Sequence, residues 1–277
     1  MRALGAWCLA LGAWCAVVGT GCSRAKIERL EWPVMGTVAA VQTRGATPEE
    51  TAEIVRAVKD EFTHVERLLN AHDPNSELSR LAALPENEIL ERCDESVRPC
   101  YEMAFDLMEK SGGAFNPRWR GTNTLDLGAI AKGFAVDRAV SAGVFVRKGP
   151  DALLDLGGNL FAAKGRWRTG IAGTESVRVL DEGCACATSA EYFRGKHIYD
   201  GRTGLAVSNG VSSVTVFVGG SAMEADGLST TLFVLGPDAG KRFLDEKWKT
   251  VGVWAIWMMK DATWVEHSRL SRFLNSP

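Results

Sequence analysis

Helix-like and strand-like runs in this chain do not alternate, and that order restricts the fold more than any single residue does. The clearest helix comes early. Thr47 is placed to cap it, Pro48 stands at its first position and Glu50 completes a capping box. Ile54, Val58, Phe62, Val65 and Leu69 then recur at spacings of three and four, which gives that helix one apolar face to bury. A second helix is expected over residues 97–110, stopped by Gly112-Gly113. A third follows Gly128, with Ile130, Phe134 and Ala139 or Val140 turned inward. Residues 30–43 read as a strand pair broken at Met35-Gly36-Thr37, and the chain beyond residue 150 is rich in strands. Strand runs fall at 152–156, 166–171 and 211–218, with a closing hairpin at 251–259 and 263–267. One helix after Pro237 interrupts them, with Lys241, Leu244 and Asp245 in period. The expected class is α+β, with mostly antiparallel sheets packed with helices, rather than a doubly wound sheet.

The first 22 residues are set apart from that fold. Arg2 is their only charge, residues 3–18 are an apolar run, and Gly19-Thr20-Gly21 supplies the small residues that a signal peptidase requires. The run is short for a membrane span, so an export signal is expected. Cys22 stands where a bacterial lipoprotein carries its lipid, although Gly19 departs from the apolar residue usual three places earlier. Lipidation at Cys22 is the expectation and plain cleavage the alternative. Residues 23–277 then form one domain outside the cytoplasm, lipid-anchored on the periplasmic side of a bacterial cell membrane.

A net charge of −2 with 46% hydrophobic residues supplies a core and leaves no basic field, which argues against a nucleic-acid partner. Four of the seven cysteines lie beyond Cys22: Cys93, Cys100, Cys184 and Cys186. In an oxidising compartment the first two are candidates for a disulfide. Cys184 and Cys186 would share one side of a strand and are expected as buried thiols. No Cys/His cluster has zinc spacing.

Three constellations carry possible chemistry. Residues 124–142 read as a strand, a turn at Gly128 and a helix beginning near Ala129, whose amides and dipole suit an anion such as a diphosphate. Asp126 precedes the turn and Lys132 lies on the first helical turn. The same pattern also opens ordinary helices with nothing bound. In Ala225-Asp226-Gly227-Leu228-Ser229-Thr230, a carboxylate precedes two hydroxyls at three- and four-residue spacing. On the first turn of a helix, Asp226 and Thr230 would offer oxygen to one hard cation such as magnesium. The competing reading makes Asp226 only a helix cap. In residues 197–204, His197 is a neutral-pH acid/base group followed by Asp200 and Arg202 in a turn-rich loop; a structural histidine at a strand end is the alternative. His72 lies in a loop, residues 70–79, suited to covering a flat ring system.

The segments 125–137 and 223–237 closely resemble the two signature stretches of the ApbE family, the FAD:protein FMN transferases. Met35-Gly36-Thr37, Pro74-Asn75-Ser76-Glu77-Leu78-Ser79 and Gly112-Gly113-Ala114-Phe115-Asn116-Pro117 resemble its M-G-T, P-x-S-E-[IL]-S and G-G-A-F-D-P. Leu156-Gly157-Gly158-Asn159, Ala187-Thr188-Ser189 and residues 197–204 resemble its L-G-G-[DN], A-T-S-G and H-I-[IL]-D-P-x-T-G. The resemblance spans nearly the whole mature chain in order and implies a T-fold-related catalytic domain. It implies a flavin site of Met35, His72, Ala114, Phe115, Asn116, Asp126, Lys132 and Tyr199. The metal set it implies is Asp226, Thr230 and the carbonyl of Ala129, with Ser229 where some relatives place a second Asp. His72 stands for a frequent Tyr, Asn116 for Asp, Ala190 for Gly and Gly201 for Pro.

The activity implied is magnesium-dependent transfer of the FMN part of FAD to a Thr or Ser hydroxyl of an exported or membrane redox protein, with release of AMP. His197, or Asp200 acting with it, would take the proton of the attacking hydroxyl. Water as the nucleophile would make the chain an FAD pyrophosphatase yielding FMN and AMP. A flavin-binding lipoprotein without turnover is the third reading.

Overall fold

The computed structural model describes residues 26–143, 145, 149–191, 197–249 and 252–269. The expected export segment and Cys22 lie outside them. Strands β1 (Ile27–Val34) and β2 (Thr37–Arg44) pair through a two-residue turn, in which Met35 and Gly36 both take positive φ, as tight hairpins require. Helix α1 (Pro48–Leu69) carries the expected capping box: the Thr47 hydroxyl accepts from the Glu50 amide at 3.2 Å and Glu50 Oε2 accepts from the Thr47 amide at 2.8 Å. All five of its periodic apolar residues are buried.

Two short helices that periodicity did not mark follow, α2 (Glu77–Leu81) and α3 (Glu86–Arg92), then the expected α4 (Arg98–Lys110). Residues 124–127, expected as a strand, form none. Their backbone groups bond to the preceding loop instead: the Thr124 and Asp126 amides donate to the Gly121 and Pro117 carbonyls at 3.1 and 2.8 Å, and the Thr124 carbonyl accepts a long 3.5 Å contact from Arg118. Helix α5 (Ala131–Ser141) begins two residues later than expected, because the Ile130 and Ala131 amides first close a turn on the Leu127 carbonyl.

The second half of the chain builds β3 (Asp151–Leu156), β4 (Asn159–Lys164), β5 (Trp167–Gly170), β6 (Val177–Leu180) and β7 (Cys184–Ala190). After these come β8 (Tyr199–Asp200), β9 (Leu205–Ala206) and β10 (Val211–Gly219). Helix α6 (Ala222–Arg242) kinks at Gly236-Pro237 and runs into a π-helical turn, Phe243–Lys247, so the helix expected after Pro237 is the continuation of a longer one. Strands β11 (Val253–Met259) and β12 (Trp264–Arg269) close the described chain.

Eight strands form one antiparallel sheet in the order β1-β2-β3-β4-β7-β10-β11-β12, while β5-β6 and β8-β9 are separate hairpins. This bears out the α+β class; the sheet is open, with β1 and β12 at its edges. Strand alternation divides the core in two. Val214, Val216 and Val218 of β10 join Ala185 and Ala187 of β7 against the helices. Phe217, Cys184 and Cys186 turn the other way, beneath Trp167 and Leu180 of the β5-β6 hairpin. Cys184 and Cys186 are thus buried thiols, with Cys186 pushed by burial up to about 12. Cys93 and Cys100 are also buried and free, so the candidate disulfide between them is not formed; each packs as a small apolar side chain in the helical core.

Helices α5 and α6 meet without side chains between them. A Cβ on Gly133 would overlap the Ala222 carbonyl and crowd the Met223 Cα. One turn further along α5, half-buried Asp137 accepts from the Ser221 hydroxyl at 2.7 Å and from the Ala222 and Met223 amides at 2.6 and 3.0 Å, saturating the start of α6. Gly133→Ala is expected to force the helices apart at a cost of about 1–3 kcal/mol. In a domain of this size the melting temperature should fall by roughly 3–10 °C in calorimetry. A melting temperature equal to the parent's would contradict the close crossing.

Candidate active site

A cleft of about 890 Å³ opens between the start of α5, the middle of α6, the turn joining β3 to β4, and the end of β7. Its volume is that of a small-molecule site. At its floor lies Asp226, 5% exposed and in the second turn of α6 rather than the first. Ser221 caps that helix by accepting from the Glu224 amide, which removes the capping explanation for Asp226. The carboxylate instead faces α5. Its Oδ2 accepts from the Gly133 amide at 3.0 Å and lies 3.3 Å from Lys132 Nζ, which also donates to the Gly128 carbonyl at 2.7 Å. The anion held by the first turn of α5 is therefore a side chain of the protein itself. Burial raises the Asp226 pKa; the Lys132 charge and the Gly133 amide oppose that rise.

Oxygen donors surround this carboxylate. Thr230, one turn along α6, lines the cleft, as does Ala129. Asn159, which begins β4 after the Gly157-Gly158 turn, is 3% exposed and donates to the Leu156 carbonyl at 3.2 Å, while its Oδ1 has no hydrogen-bond partner. A buried oxygen without a donor is an atom that a cation or a ligand N–H group would satisfy. Among the described residues no three His, Cys, Asp or Glu side chains are placed to hold a metal together. Magnesium does not need such a set, since it commonly takes one or two carboxylates with neutral oxygens and substrate phosphates.

Of the residues singled out in the sequence, Ala114, Phe115, Asn116, Asp126, Ala129, Lys132, His197, Tyr199, Asp226 and Thr230 line this one cleft. Four others do not. Met35 sits in the β1-β2 turn, where its amide bonds Glu66 Oε1 at 2.8 Å. His72 is exposed in the loop after α1. Asp200 is turned onto Arg202, with contacts of 2.8 and 2.6 Å that hold its pKa below the ordinary value. This pairing blunts it as a proton acceptor. Ser229 is fully buried; it donates to the Asp226 carbonyl at 2.9 Å and contacts Ser189 Oγ at 2.8 Å, so its hydroxyl points away from the place where a second carboxylate ligand was expected.

Among the lining residues that had received no role from the sequence are Trp119, Asn159 and Ser189. Asn159 and Ser189 fell inside quoted motifs, but only the folded sheet brings them beside α6. Trp119 stacks on Tyr199 at 4.1 Å and donates to Asp126 Oδ2 at 3.3 Å, building an aromatic wall on one side of the cleft. Gly201, in the turn beyond Tyr199, has no room for a Cβ against Asn116, whose amide donates to the Gly201 carbonyl at 3.1 Å.

This sheet, with its helices on one side, is a fold shared with solved bacterial flavin transferases. The structure is similar to the flavinyl transferase ApbE of Pseudomonas stutzeri in its apo form, with a TM-score of 0.71 at 22% identity over 88% of this chain and 95% of that one. It is equally similar to the flavin transferase ApbE of Vibrio cholerae, with a TM-score of 0.71 at 22% identity over 90% and 98% of the two chains. The sequence profile of the ApbE family matches residues 35–123 and 118–254, and the chain belongs to that family. A relative from Treponema pallidum, named FAD:protein FMN transferase, is 28% identical across 77% of this chain and 80% of its own. One of the same name from Klebsiella pneumoniae is 35% identical over 42% of this chain and 40% of its own.

The Lys132–Asp226 pair makes a pH-dependent prediction. Lys132→Met leaves the buried carboxylate without its cation, so its folded-state pKa rises further above the unfolded value. Stability from such a group is fully present below the unfolded pKa and is lost as pH rises through the folded one. The variant should therefore melt below the parent at pH 8 in EDTA, with the gap narrowing towards pH 4. A gap independent of pH would contradict the pairing.

Proposed function

We propose that the chain transfers the FMN part of FAD to a Thr or Ser hydroxyl of an acceptor protein and releases AMP. The observation that carries this reading is the buried Asp226 carboxylate, paired with Lys132 at the floor of a cleft lined by Thr230, Asn159 and aromatic rings. Asp226, Thr230 and the Ala129 carbonyl would hold magnesium, with Asn159 Oδ1 as a further oxygen. Bound there, magnesium would supply positive charge to offset that developing on the diphosphate.

The residues of the chain supply the rest. Lys132 places a second positive charge beside the phosphates, and the Gly133 amide favours the charged form of Asp226 and aims it. The Trp119–Tyr199 wall and Phe115 give the flavin ring apolar surface, while Asn116 and Asp126 offer polar contacts at its edge. His197 accepts the proton of the attacking hydroxyl, a role better suited to it than to Asp200, which Arg202 already neutralises. Water entering in place of the hydroxyl gives FMN and AMP from the same site. The names of the relatives favour the protein acceptor.

The purified chain incubated with FAD and Mg²⁺, with and without a Thr-containing acceptor protein, should release AMP and leave flavin fluorescence on the acceptor in denaturing gels. AMP with free FMN only would favour the pyrophosphatase, and no AMP would leave flavin binding alone. Asp226→Ala should abolish AMP release. His197→Ala should retain flavin binding and lose about 10²–10⁴-fold in turnover.

The place of action follows from the leader. Export, lipidation of Cys22 and anchoring on the periplasmic side of the membrane would concentrate the enzyme near membrane redox proteins as acceptors. Among the described residues no helix is long and apolar enough to cross a membrane. Cys22→Ser should move the protein from the membrane fraction to the soluble periplasmic fraction without changing its activity on FAD. An unmodified Cys22 in mass spectrometry of the native N-terminus would contradict the anchor.

A further inference from the structure

Three hydroxyls join β7 to α6 at the wall of the cleft. Ser189 Oγ lies 2.8 Å from Ser229 Oγ and 3.0 Å from Thr230 Oγ1, and Ser229 Oγ donates to the Asp226 carbonyl at 2.9 Å. Each hydroxyl carries one proton, so the last bond determines the direction of the other two. The Ser229 proton is committed to the Asp226 carbonyl. Two hydroxyl oxygens 2.8 Å apart need a proton between them, so Ser189 donates to Ser229. The Ser189 proton is then committed as well, and Thr230 must be the donor in its 3.0 Å contact with Ser189.

We infer that Ser189 is a positioning residue for the cation site: it holds the Thr230 proton on its own oxygen and leaves the lone pairs of Thr230 Oγ1 for the ion. The inference rests on the magnesium reading given above. A threonine hydroxyl coordinates a hard cation only through its oxygen, so a proton turned into the cleft would oppose the ion. Ser229, fully buried and outside the cleft lining, takes part without touching the cation. Its hydroxyl anchors the direction of the chain from behind, where a carboxylate would have been a ligand. Asp226 and Thr230 are thereby oriented as a unit. The main chain of Asp226 receives the Ser229 proton, and its side chain receives those of Gly133 and Lys132.

Mn²⁺ titrated into the flavin-free protein and followed by electron paramagnetic resonance reads this site without turnover. Ser189→Ala should weaken Mn²⁺ binding about five- to tenfold, the effect of one lost orienting hydrogen bond. Ser189→Thr, which keeps a hydroxyl, should restore it. Ser229→Ala should weaken binding too, because the freed Ser189 proton can turn onto Thr230. In a Thr230→Val background, which lacks the ligand oxygen, neither alanine substitution should have a further effect beyond about twofold. Unchanged binding in Ser189→Ala, or the same loss with and without the Thr230 hydroxyl, overturns the inference. Should Ser189→Ala fail to fold, Ser229→Ala carries the same comparison. If the parent binds no Mn²⁺ that Asp226→Ala abolishes, the magnesium reading itself fails and the inference falls with it.

Discussion

A carboxylate with 5% exposure is costly unless the protein surrounds it with donors, and at Asp226 the donors come from another helix. That requirement organises the middle of the molecule. For the Gly133 amide to reach Asp226, α5 and α6 must touch along their backbones, which only a residue without a Cβ permits. Asp137, one turn beyond Gly133, then lies against the first amides of α6 and closes that helix end. One contact between two helices thus sets the position of the carboxylate, of Lys132 and of the Thr230 hydroxyl on the next turn.

The sheet supplies what the helices lack. Its antiparallel order puts β4 and β7 side by side beneath α6, which brings Asn159 and Ser189 to the same cleft from strands that are 30 residues apart in sequence. The tight Gly157-Gly158 turn lets Asn159 begin its strand at the cleft, and alternation along β7 sends Ala185 and Ala187 into the helical core. The hydroxyl chain from Ser189 to α6 is consequently a sheet-to-helix contact as well as part of the site.

Local signals in the sequence reached a good part of this. The capping box at Thr47, the apolar stripe of α1, the break at Met35-Gly36 and the five strand runs marked after residue 150 are short-range patterns, and each is found in the structure. The strand expected at 124–127 failed because its amides bond back to the preceding loop, at Gly121 and Pro117, rather than to a neighbouring strand, and alternation alone does not report that. The anion expected at the start of α5 is Asp226, more than 90 residues away in sequence. Asp226 was marked as a ligand, but its second-turn position and its cap at Ser221 depended on where α6 begins. Trp119 carried no signal at all, since its stacking on Tyr199 arises from two loops meeting. The resemblance to the family gathered ten residues that the fold places in one cleft; it also named Met35, His72, Asp200 and Ser229, which the cleft does not expose.

The central claim is that Asp226 and its neighbours form a cation site at which the diphosphate of FAD is cleaved. Crystals soaked with Mn²⁺ and FAD, measured at the manganese edge, test it most directly. An anomalous peak about 2.0–2.3 Å from an Asp226 carboxylate oxygen, Thr230 Oγ1 and the Ala129 carbonyl, and touching a flavin phosphate, is the result predicted. Flavin bound in the cleft with no anomalous peak there, and Lys132 still paired with Asp226, would contradict the account.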